Sequence, residues 1–315
     1  MRVSIVVPCY RSARILPALV GRVESTMDRL VADGVVDEWE LLLVVDGSPD
    51  DTEAVVDRVV NERSRVRGMA LRRNFGQHNA LLAGVRDAAY EVVVTLDDDL
   101  QHPPEEIPRL LAPLAEPTID LVYGIPETEE HGLLRSFASR LVKRSLSAAG
   151  VANARWVGAF RAFRTELAEG FSQLNDPQPN LDVLLSWSTS AVVPAPVRMD
   201  KRAEGRSGYS VFRLARHAMN MVTGYGAVPL HLATWLGFAC GALGIVLLGY
   251  VIVSYLVGAT TVPGFTTITA VIALFSSAQL ITIGIIGEYV GRQHFRSMHK
   301  PIYLVGRRYG EGQSK

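Results

Sequence analysis

The sequence predicts an α/β domain with a mostly parallel β-sheet, followed by two helices that cross a membrane. Two observations lead to this fold class. Over residues 1–204, short β-branched runs alternate with segments whose apolar residues recur at helical spacing, and this order favours parallel strands joined by right-handed crossovers. Residues 232–287 then contain no Asp, Glu, Lys, Arg or His, a run far longer than a soluble core helix needs.

The elements of the first part follow from these patterns. The predicted strands are "VSIVVP", "WELLLVVD", "GMALRRN" and "EVVVTLDDD". The predicted helices between them are "ARILPALVGRVESTMDRLVADG", "DTEAVVDRVVNERSR" and "NALLAGVRDAAY". Ligands of such sheets bind at the carboxyl ends of the strands. Acidic residues stand at two of these ends, in "VVDGSPDDT" and "VVVTLDDD".

The apolar run is predicted to form a membrane hairpin. It is interrupted once, by "GATTVPGF" at residues 258–265, and each piece exceeds the roughly 20 residues that cross a bilayer. Basic residues crowd both flanks, so the positive-inside rule places both ends in the cytoplasm. A buried hairpin in a soluble protein is the alternative, but it would need partner surfaces on every side of both helices.

These patterns divide the chain into four parts. Residues 1–204 are the predicted cytoplasmic catalytic domain, 205–228 an amphipathic juxtamembrane segment, 229–290 the hairpin and 291–315 a basic cytoplasmic tail. The amphipathic pattern fits an interfacial helix or an ordinary surface helix, and the neighbouring span favours the interface. The N-terminus reads as a first strand that ends near Pro8 and not as a signal peptide, because it lacks a small-residue cleavage site.

Composition excludes other classes. Lys plus Arg and Asp plus Glu both total 32, so no overall charge attracts nucleic acid. Cys9 and Cys240 are far apart in sequence, which suggests two buried thiols and neither a disulfide framework nor a metal cluster.

The acidic triplet Asp97, Asp98 and Asp99 raises the chemical question, since three adjacent carboxylates repel one another. If the strand continues through it, Asp97 and Asp99 share a face while Asp98 points away. With the amide oxygen of Gln101, this pair would suit a hard divalent ion such as Mg²⁺ or Mn²⁺. A solvated turn that caps the next helix fits the spacing equally well.

Two further turns could contact a ligand. Asp46, at the end of the second predicted strand, could hold a base or ribose edge, although a plain strand-to-helix turn has the same sequence. Arg73, in "LRRNFGQHN", could contact a donor phosphate, or the turn could simply place Asn74 as the N-cap of a helix.

Several motifs occur together in an order that resembles a known family. They are "VSIVVPCY", "LLLVVDGSPDDT", "LRRNFGQHNALLAGV", "VVVTLDDDLQHPPEEIPRLL", "GAFRAFR", "RAEGRSGYSVFRL" and "GIIGEYVGR". The chain resembles family 2 glycosyltransferases of the dolichyl-phosphate mannose synthase type. Within these it is most similar to bacterial polyprenyl-phosphate glycosyltransferases, including the undecaprenyl-phosphate formamido-arabinose transferases. The resemblance covers nearly the whole chain.

The resemblance implies a nucleotide-sugar-binding GT-A fold and a bound divalent cation. It also implies transfer of one sugar from a nucleotide diphosphate to a polyprenyl phosphate, and it slightly favours UDP as the nucleotide. It also implies a homotetramer. Pro8 and Tyr10 match positions that line the nucleotide base, and Asp46 matches the carboxylate that contacts it. The triplet matches the family's Asp-Ala-Asp, with Asp97, Asp99 and Gln101 as metal ligands, Asp98 as a donor contact and Asp99 as a catalytic residue. Arg202 matches an arginine that binds the acceptor phosphate near the membrane.

The sequence also departs from the family pattern. The lysine expected six residues after Arg202 is Gly208, and we hypothesise that Arg206 replaces it as a phosphate clamp. Ala159 stands where many relatives carry an acid. A missing base need not prevent catalysis, because a lipid phosphate is already ionised at neutral pH. The expected reaction is a single displacement with inversion at the anomeric carbon.

Two other functions fit parts of the sequence. A transferase with a polysaccharide acceptor would be expected to carry more membrane helices and a further acceptor motif. A catalytically dead membrane scaffold is suggested by Val45, Ser12, Ala159 and Gly208, which depart from the family pattern, but the intact Asp97, Asp99, Gln101 and Arg202 argue against it.

Overall fold

The computed structural model describes residues 1–127, 153–171, 179–200, 225, 228–257, 264–298 and 300–310. The chain forms two compact units. The first comprises Met1–Ser147, Val151–Ser210 and His299–Lys315, and the second Ala148–Gly150 and Val211–Met298.

The first half of the first unit has the predicted alternation of strands and helices. Its strands run parallel to one another, in the order β4, β1, β2, β3 across the sheet. These strands are β1 (Arg2–Cys9), β2 (Glu38–Val45), β3 (Val66–Leu71) and β4 (Val92–Thr95). The connecting helices are α1 (Leu16–Ala32), α2 (Thr52–Glu62) and α3 (Gln77–Asp87).

The second half makes the sheet mixed. Strand β6 lies between β4 and β5 and is antiparallel to both, whereas β5 and β7 are parallel. The elements of this half are a 3₁₀ turn at Pro104–Glu106, α4 (Ile107–Leu114), β5 (Leu121–Pro126), β6 (Arg161–Arg164), a 3₁₀ segment at Thr165–Phe171, α5 (Leu181–Ser188) and β7 (Val192–Val197).

An eighth strand, β8 (Val305–Tyr309), closes the other edge of the sheet by pairing antiparallel with β3. These residues were expected to belong to a basic tail, and no strand was predicted there. The reason is local: the strand reads "VGRRY", and its three central residues are exposed, so it lacks the apolar run that marks a buried strand.

The core covers both faces of the sheet. Seven of the eight residues of β1 are buried, on both faces, which explains why the strand is nearly continuously apolar. One face packs against α1, α2 and α4, and its core includes Ile5 and Leu16. The other face packs against α3 and α5, and its core includes Val6 and Leu184. Side chains of adjacent β1 residues therefore enter different cores, as the pleat requires.

The second unit contains α6 (Val228–Leu256) and α7 (Phe265–Ser297). Within them, Val228–Ser254 and Leu274–Ser297 are long and apolar enough to cross a bilayer, and neither segment is buried. A core helix of a soluble protein would be buried, and a signal sequence would lie near the N-terminus, so these two helices indicate a membrane protein. Of the predicted juxtamembrane segment 205–228, only residues 225 and 228 are described.

Candidate active site

The site is a cavity of about 320 Å³ at the carboxyl ends of β1, β2 and β4. Seven of its ten lining residues lie at or just after these strand ends, and six of the seven are predicted site residues. The other three are the loop residues Asn74 and Gly76 and the first residue of α3, Gln77. The lining residues are Pro8, Cys9, Tyr10, Asp46, Asn74, Gly76, Gln77, Asp97, Asp98 and Asp99. This size and position suit a small polar ligand bound at the strand ends.

The acidic triplet does not belong to a strand. Strand β4 ends at Thr95, and the backbone then turns, with Leu100 in the left-handed region at φ 60°. The period of two that was expected to turn Asp98 away therefore does not apply, and all three aspartates line the same cavity. A leucine in this conformation is strained, and such residues concentrate at functional sites.

Each carboxylate of the triplet has a different hydrogen-bond partner. The side-chain amide of Gln77 donates to Asp97 Oδ1 at 2.6 Å. The backbone N–H of Tyr10 donates to Asp98 Oδ2 at 3.0 Å. The backbone N–H of Gln101 donates to Asp99 Oδ1 at 3.0 Å. The triplet is thus tied to the end of β1 and to the start of α3.

Asp46 organises the loop that follows β3. Its two carboxylate oxygens accept hydrogen bonds from the backbone N–H groups of Phe75 at 2.7 Å and Gly76 at 2.8 Å. The N-cap of α3 is Gly76, with φ 97°, so the expectation that Asn74 caps this helix is wrong. Asn74 lines the cavity instead.

Gly47 allows the two loops to approach. Its φ is +55°, and an added Cβ would lie 2.2 Å from the carbonyl carbon of Arg73. Only glycine fits this contact, because the backbone at residue 47 and the backbone at Arg73 cannot move apart without a large energetic cost.

Burial and mutual repulsion affect the acids of the cavity. Burial raises the pKa of Asp98, and the neighbouring Asp99 raises it further. Burial also raises the pKa of Asp46, against the opposing effect of its two backbone donors. With four aspartates and neither Lys nor Arg among the lining residues, the cavity is electrostatically suited to a cation.

A divalent ion fits the donor chemistry of the triplet. Among the residues that the structure describes, no three His, Cys, Asp or Glu side chains form a preformed metal cluster. Magnesium-like ions, however, often take only one or two protein carboxylates and complete their shell with water and phosphate oxygens. Asp97 and Asp99, with the adjacent Gln101, could hold such an ion in this way.

Other predicted residues lie outside the cavity lining. Arg73 is exposed, and its guanidinium carbon lies 4.1 Å from the ring centre of Phe75. The backbone carbonyl of Gln101 accepts from the N–H of Asp200 at 2.9 Å, which fixes the segment before residue 201. Arg202 and Arg206 lie outside the described residues.

Sequence reasoning missed a buried charged network behind the triplet. Arg161, on β6, is 1% exposed and forms an ion pair with Asp182 on α5. Its Nε donates to Thr95 Oγ1 at 3.0 Å, and Tyr123 donates its hydroxyl to Asp182 Oδ1 at 3.0 Å. The available signal was an arginine between the apolar residues of "GAFRAFR", since a charge in a buried strand needs a partner.

His102 is a second buried polar group beside the triplet. It stacks on Phe160 with ring centres 5.3 Å apart, and burial lowers its pKa to about 4. His102 is therefore neutral at physiological pH. No function was predicted for His102 from the sequence, and its stacking on Phe160 indicates a packing role.

This fold and cavity define a glycosyltransferase of the GT-A type, as the sequence predicted. The chain belongs to glycosyl transferase family 2, whose model matches residues 4–165. The predicted enzyme class and fold are thereby confirmed.

Relatives in this family align along nearly the full chain. An undecaprenyl-phosphate 4-deoxy-4-formamido-L-arabinose transferase from Enterobacter sp. (strain 638) is 31% identical, over 99% of this chain and 94% of its own length. The enzyme of the same name from Aeromonas hydrophila is also 31% identical, over 96% and 92%. This similarity confirms the resemblance to undecaprenyl-phosphate sugar transferases.

Among solved structures, the chain is similar to glucosyl-3-phosphoglycerate synthase from Mycobacterium tuberculosis in complex with Mn²⁺, UDP-glucose and phosphoglyceric acid. The TM-score is 0.50 at 21% identity, over 71% of this chain and 79% of that one. At this identity the likeness establishes the fold.

Proposed function

We propose that this protein is a membrane-bound inverting glycosyltransferase that moves one sugar from a UDP-sugar to a polyprenyl phosphate. The observation that carries the proposal is a cavity lined by four aspartates at the strand ends of a family 2 transferase. The same chain has two membrane-length helices, and its full-length relatives are named for transfer involving undecaprenyl phosphate.

The donor nucleotide would bind between the ends of β1 and β2. Tyr10 lines the cavity and is 43% exposed, so its ring can stack on a base. Pro8 and Asp46 line the cavity beside it, and Asp46 is held in place by its two backbone donors. The resemblance to formamido-arabinose transferases favours UDP as the nucleotide.

The aspartates of the cavity would repel an anionic donor unless a divalent cation bound between them. A nucleotide diphosphate is anionic, and the lining residues offer carboxylates and no basic side chain. Asp97, Asp99 and Gln101 would hold Mg²⁺ or Mn²⁺, and Asp98 would contribute to the donor side. When bound, the ion supplies Lewis-acid stabilisation of the diphosphate leaving group.

The acceptor needs positioning more than activation. A lipid phosphate has a second pKa of about 6, so it can attack without a general base. Arg202 and Arg206 are proposed to hold this phosphate opposite the donor, since a guanidinium can bind two phosphate oxygens at once. A single in-line displacement then inverts the anomeric carbon.

The membrane hairpin would keep this reaction at the bilayer surface. We place the protein in the cytoplasmic membrane with the catalytic domain and both termini in the cytoplasm, because basic residues flank the two apolar helices. The family resemblance supports a homotetramer.

The direct test is transfer by the purified full chain. It is incubated with Mg²⁺ or Mn²⁺, a panel of nucleotide sugars and undecaprenyl phosphate, and the lipid product is analysed by mass spectrometry and NMR. A lipid carrying one sugar, with an anomeric configuration opposite to that of the donor, is expected. A longer carbohydrate product would support a polysaccharide acceptor, and no product with any donor would support the dead scaffold.

The acceptor clamp has its own test. Arg206→Ala should raise the KM for undecaprenyl phosphate and leave the affinity for UDP unchanged, because the proposed contact is with the acceptor alone. Unchanged acceptor affinity and turnover would exclude Arg206 from the clamp.

A further inference from the structure

The residues that follow the second apolar helix return to the catalytic sheet. Strand β8 pairs with β3 over Gly68↔Tyr309, Met69↔Arg308 and Ala70↔Arg307, and after a bulge over Leu71↔Val305. Covering the exposed edge of the sheet would by itself explain a strand of this kind. Its contacts indicate a further role.

Strand β8 is anchored to helices on both faces of the sheet. Tyr309 is 5% exposed, and its hydroxyl donates to Glu53 of α2 at 2.5 Å. Arg308 forms an ion pair with Asp87 of α3, and Asp87 also pairs with Arg67 at 3.2 Å. Because α2 and α3 lie on opposite faces, these contacts fix the strand from two directions.

The start of this segment holds the loop that lines the cavity. Strand β3 ends at Leu71, and the next residue, Arg72, donates its backbone N–H to the carbonyl of Leu304 at 2.9 Å. A Cβ added to Gly306 would lie 3.1 Å from Cδ of Arg72, so the Arg72 side chain lies against β8.

The other end of the same loop belongs to the site. Asp46 accepts hydrogen bonds from residues 75 and 76, and Gln77 donates to Asp97. Asn74, Gly76 and Gln77 line the cavity. The loop of residues 72–77 is therefore held between β8 and the acidic groups of the cavity.

We infer that residues 304–309 position the 72–77 loop and thereby set the affinity of the cavity for the donor nucleotide. The inference rests on the proposed function, since it takes the cavity to be the nucleotide-sugar site. A loop fixed before the ligand arrives loses less conformational entropy on binding. Arg308, Tyr309 and the backbone of Leu304 are positioning groups, because their described contacts are with the protein and not with the cavity.

The first test asks whether UDP binding in the cavity stabilises residues 304–309. It measures hydrogen exchange of the unmodified full chain, with and without UDP and Mn²⁺. If donor binding and loop docking are coupled, the coupling is reciprocal. UDP should then slow exchange at residues 304–309 as well as at 72–77, and leave β7 unchanged. Slower exchange at 72–77 alone would overturn the inference. No UDP binding to the wild-type chain would overturn the donor-site assignment, and the inference with it.

The second test loosens the strand by mutation. The double variant Arg308→Ala/Tyr309→Phe removes the ion pair with Asp87 and the hydrogen bond to Glu53, and Asp87 keeps Arg67 as a partner. We expect the Kd for UDP to rise about tenfold and the KM for the donor to rise more than kcat falls. The matched control is Arg2→Ala at the amino end of β1, whose side chain is 51% exposed and pairs with Glu91 at 3.0 Å. A folded double variant that binds UDP as the control does would show that β8 only covers the sheet edge.

Discussion

Replacement of Arg161 by methionine should strongly destabilise the catalytic unit. The guanidinium of Arg161 is 1% exposed, and its partner Asp182 has a side chain that is 8% exposed. Without the arginine, the Asp182 carboxylate would stay buried, and among the described residues the Tyr123 hydroxyl at 3.0 Å would be its remaining side-chain donor. Thr95 would lose the Nε donor but keep its own hydrogen bond to the carbonyl of Ala159 at 2.8 Å.

The magnitude follows from the buried charge that remains. Removing one member of a buried ion pair costs about 3–5 kcal/mol. The Tyr123 hydroxyl still donates a hydrogen bond to the Asp182 carboxylate, so we expect a loss near the lower end, about 3 kcal/mol. For a folding unit of this size, each kcal/mol shifts the melting temperature by about 2–4 °C, which gives a decrease of about 6–12 °C.

The assay compares apparent melting temperatures, from intrinsic fluorescence, of the full chain in detergent. The variants are Arg161→Met, Asp182→Leu and the double variant. Replacing both members of a buried pair by apolar residues is often close to neutral, so the double variant should melt near the wild type and above either single variant. Arg161 and Asp182 do not stabilise the fold as a buried pair if Arg161→Met melts at the wild-type temperature, or if the double variant shows the summed loss of the two single variants.

Three further predictions concern the cavity and its surroundings. Asp99→Ala should abolish transfer without changing the melting temperature, whereas Asp51→Ala, which removes an exposed carboxylate outside the cavity lining, should keep activity; an active Asp99→Ala enzyme would contradict the assignment. Gly47→Ala should cost about 1–3 kcal/mol and weaken UDP binding in calorimetry, because its φ is +55° and Cβ would meet the Arg73 backbone. The control is Gly21→Ala in α1, where Cβ meets nothing within 4 Å. Burial lowers the pKa of His102 in the folded state to about 4, from an ordinary value of about 6.5, so the unfolded state binds the proton first and stability is lost as the pH falls from about 6.5 towards 4. Between pH 7 and pH 5, His102 should lower the free energy of unfolding by about 2 kcal/mol. The melting temperature of His102→Gln, measured over the same pH range, should lack this decrease.

The sequence predicted the parallel half of the sheet because its signals are local. Apolar periodicity within each segment identified the strands and helices up to β4, and the alternating order implied their direction. The later strands β5, β6 and β7 were not predicted. The antiparallel pairing of β6 between β4 and β5 depends on contacts between segments that are distant in sequence, and no local pattern encodes it.

The same distinction explains the site. Asp46 and the triplet were identified as strand-end acids, and the structure brings them into one cavity. The orientation of Asp98 was predicted from the alternation of side chains along a β-strand. Strand β4 ends at Thr95, two residues before Asp97, so this alternation does not extend to Asp98. Arg161 went unnoticed because its partners Thr95 and Asp182 lie on other elements.

By itself, the sequence determined the membrane-length helices, the alternating first half and the acidic strand ends. Each of these depends on composition or on neighbours a few residues apart. Only the tertiary structure decided which carboxylates share a cavity, which buried charges pair, and that residues 305–309 complete the sheet. These features arise from hydrogen bonds and burial between remote segments, whose energy depends on the folded arrangement as a whole.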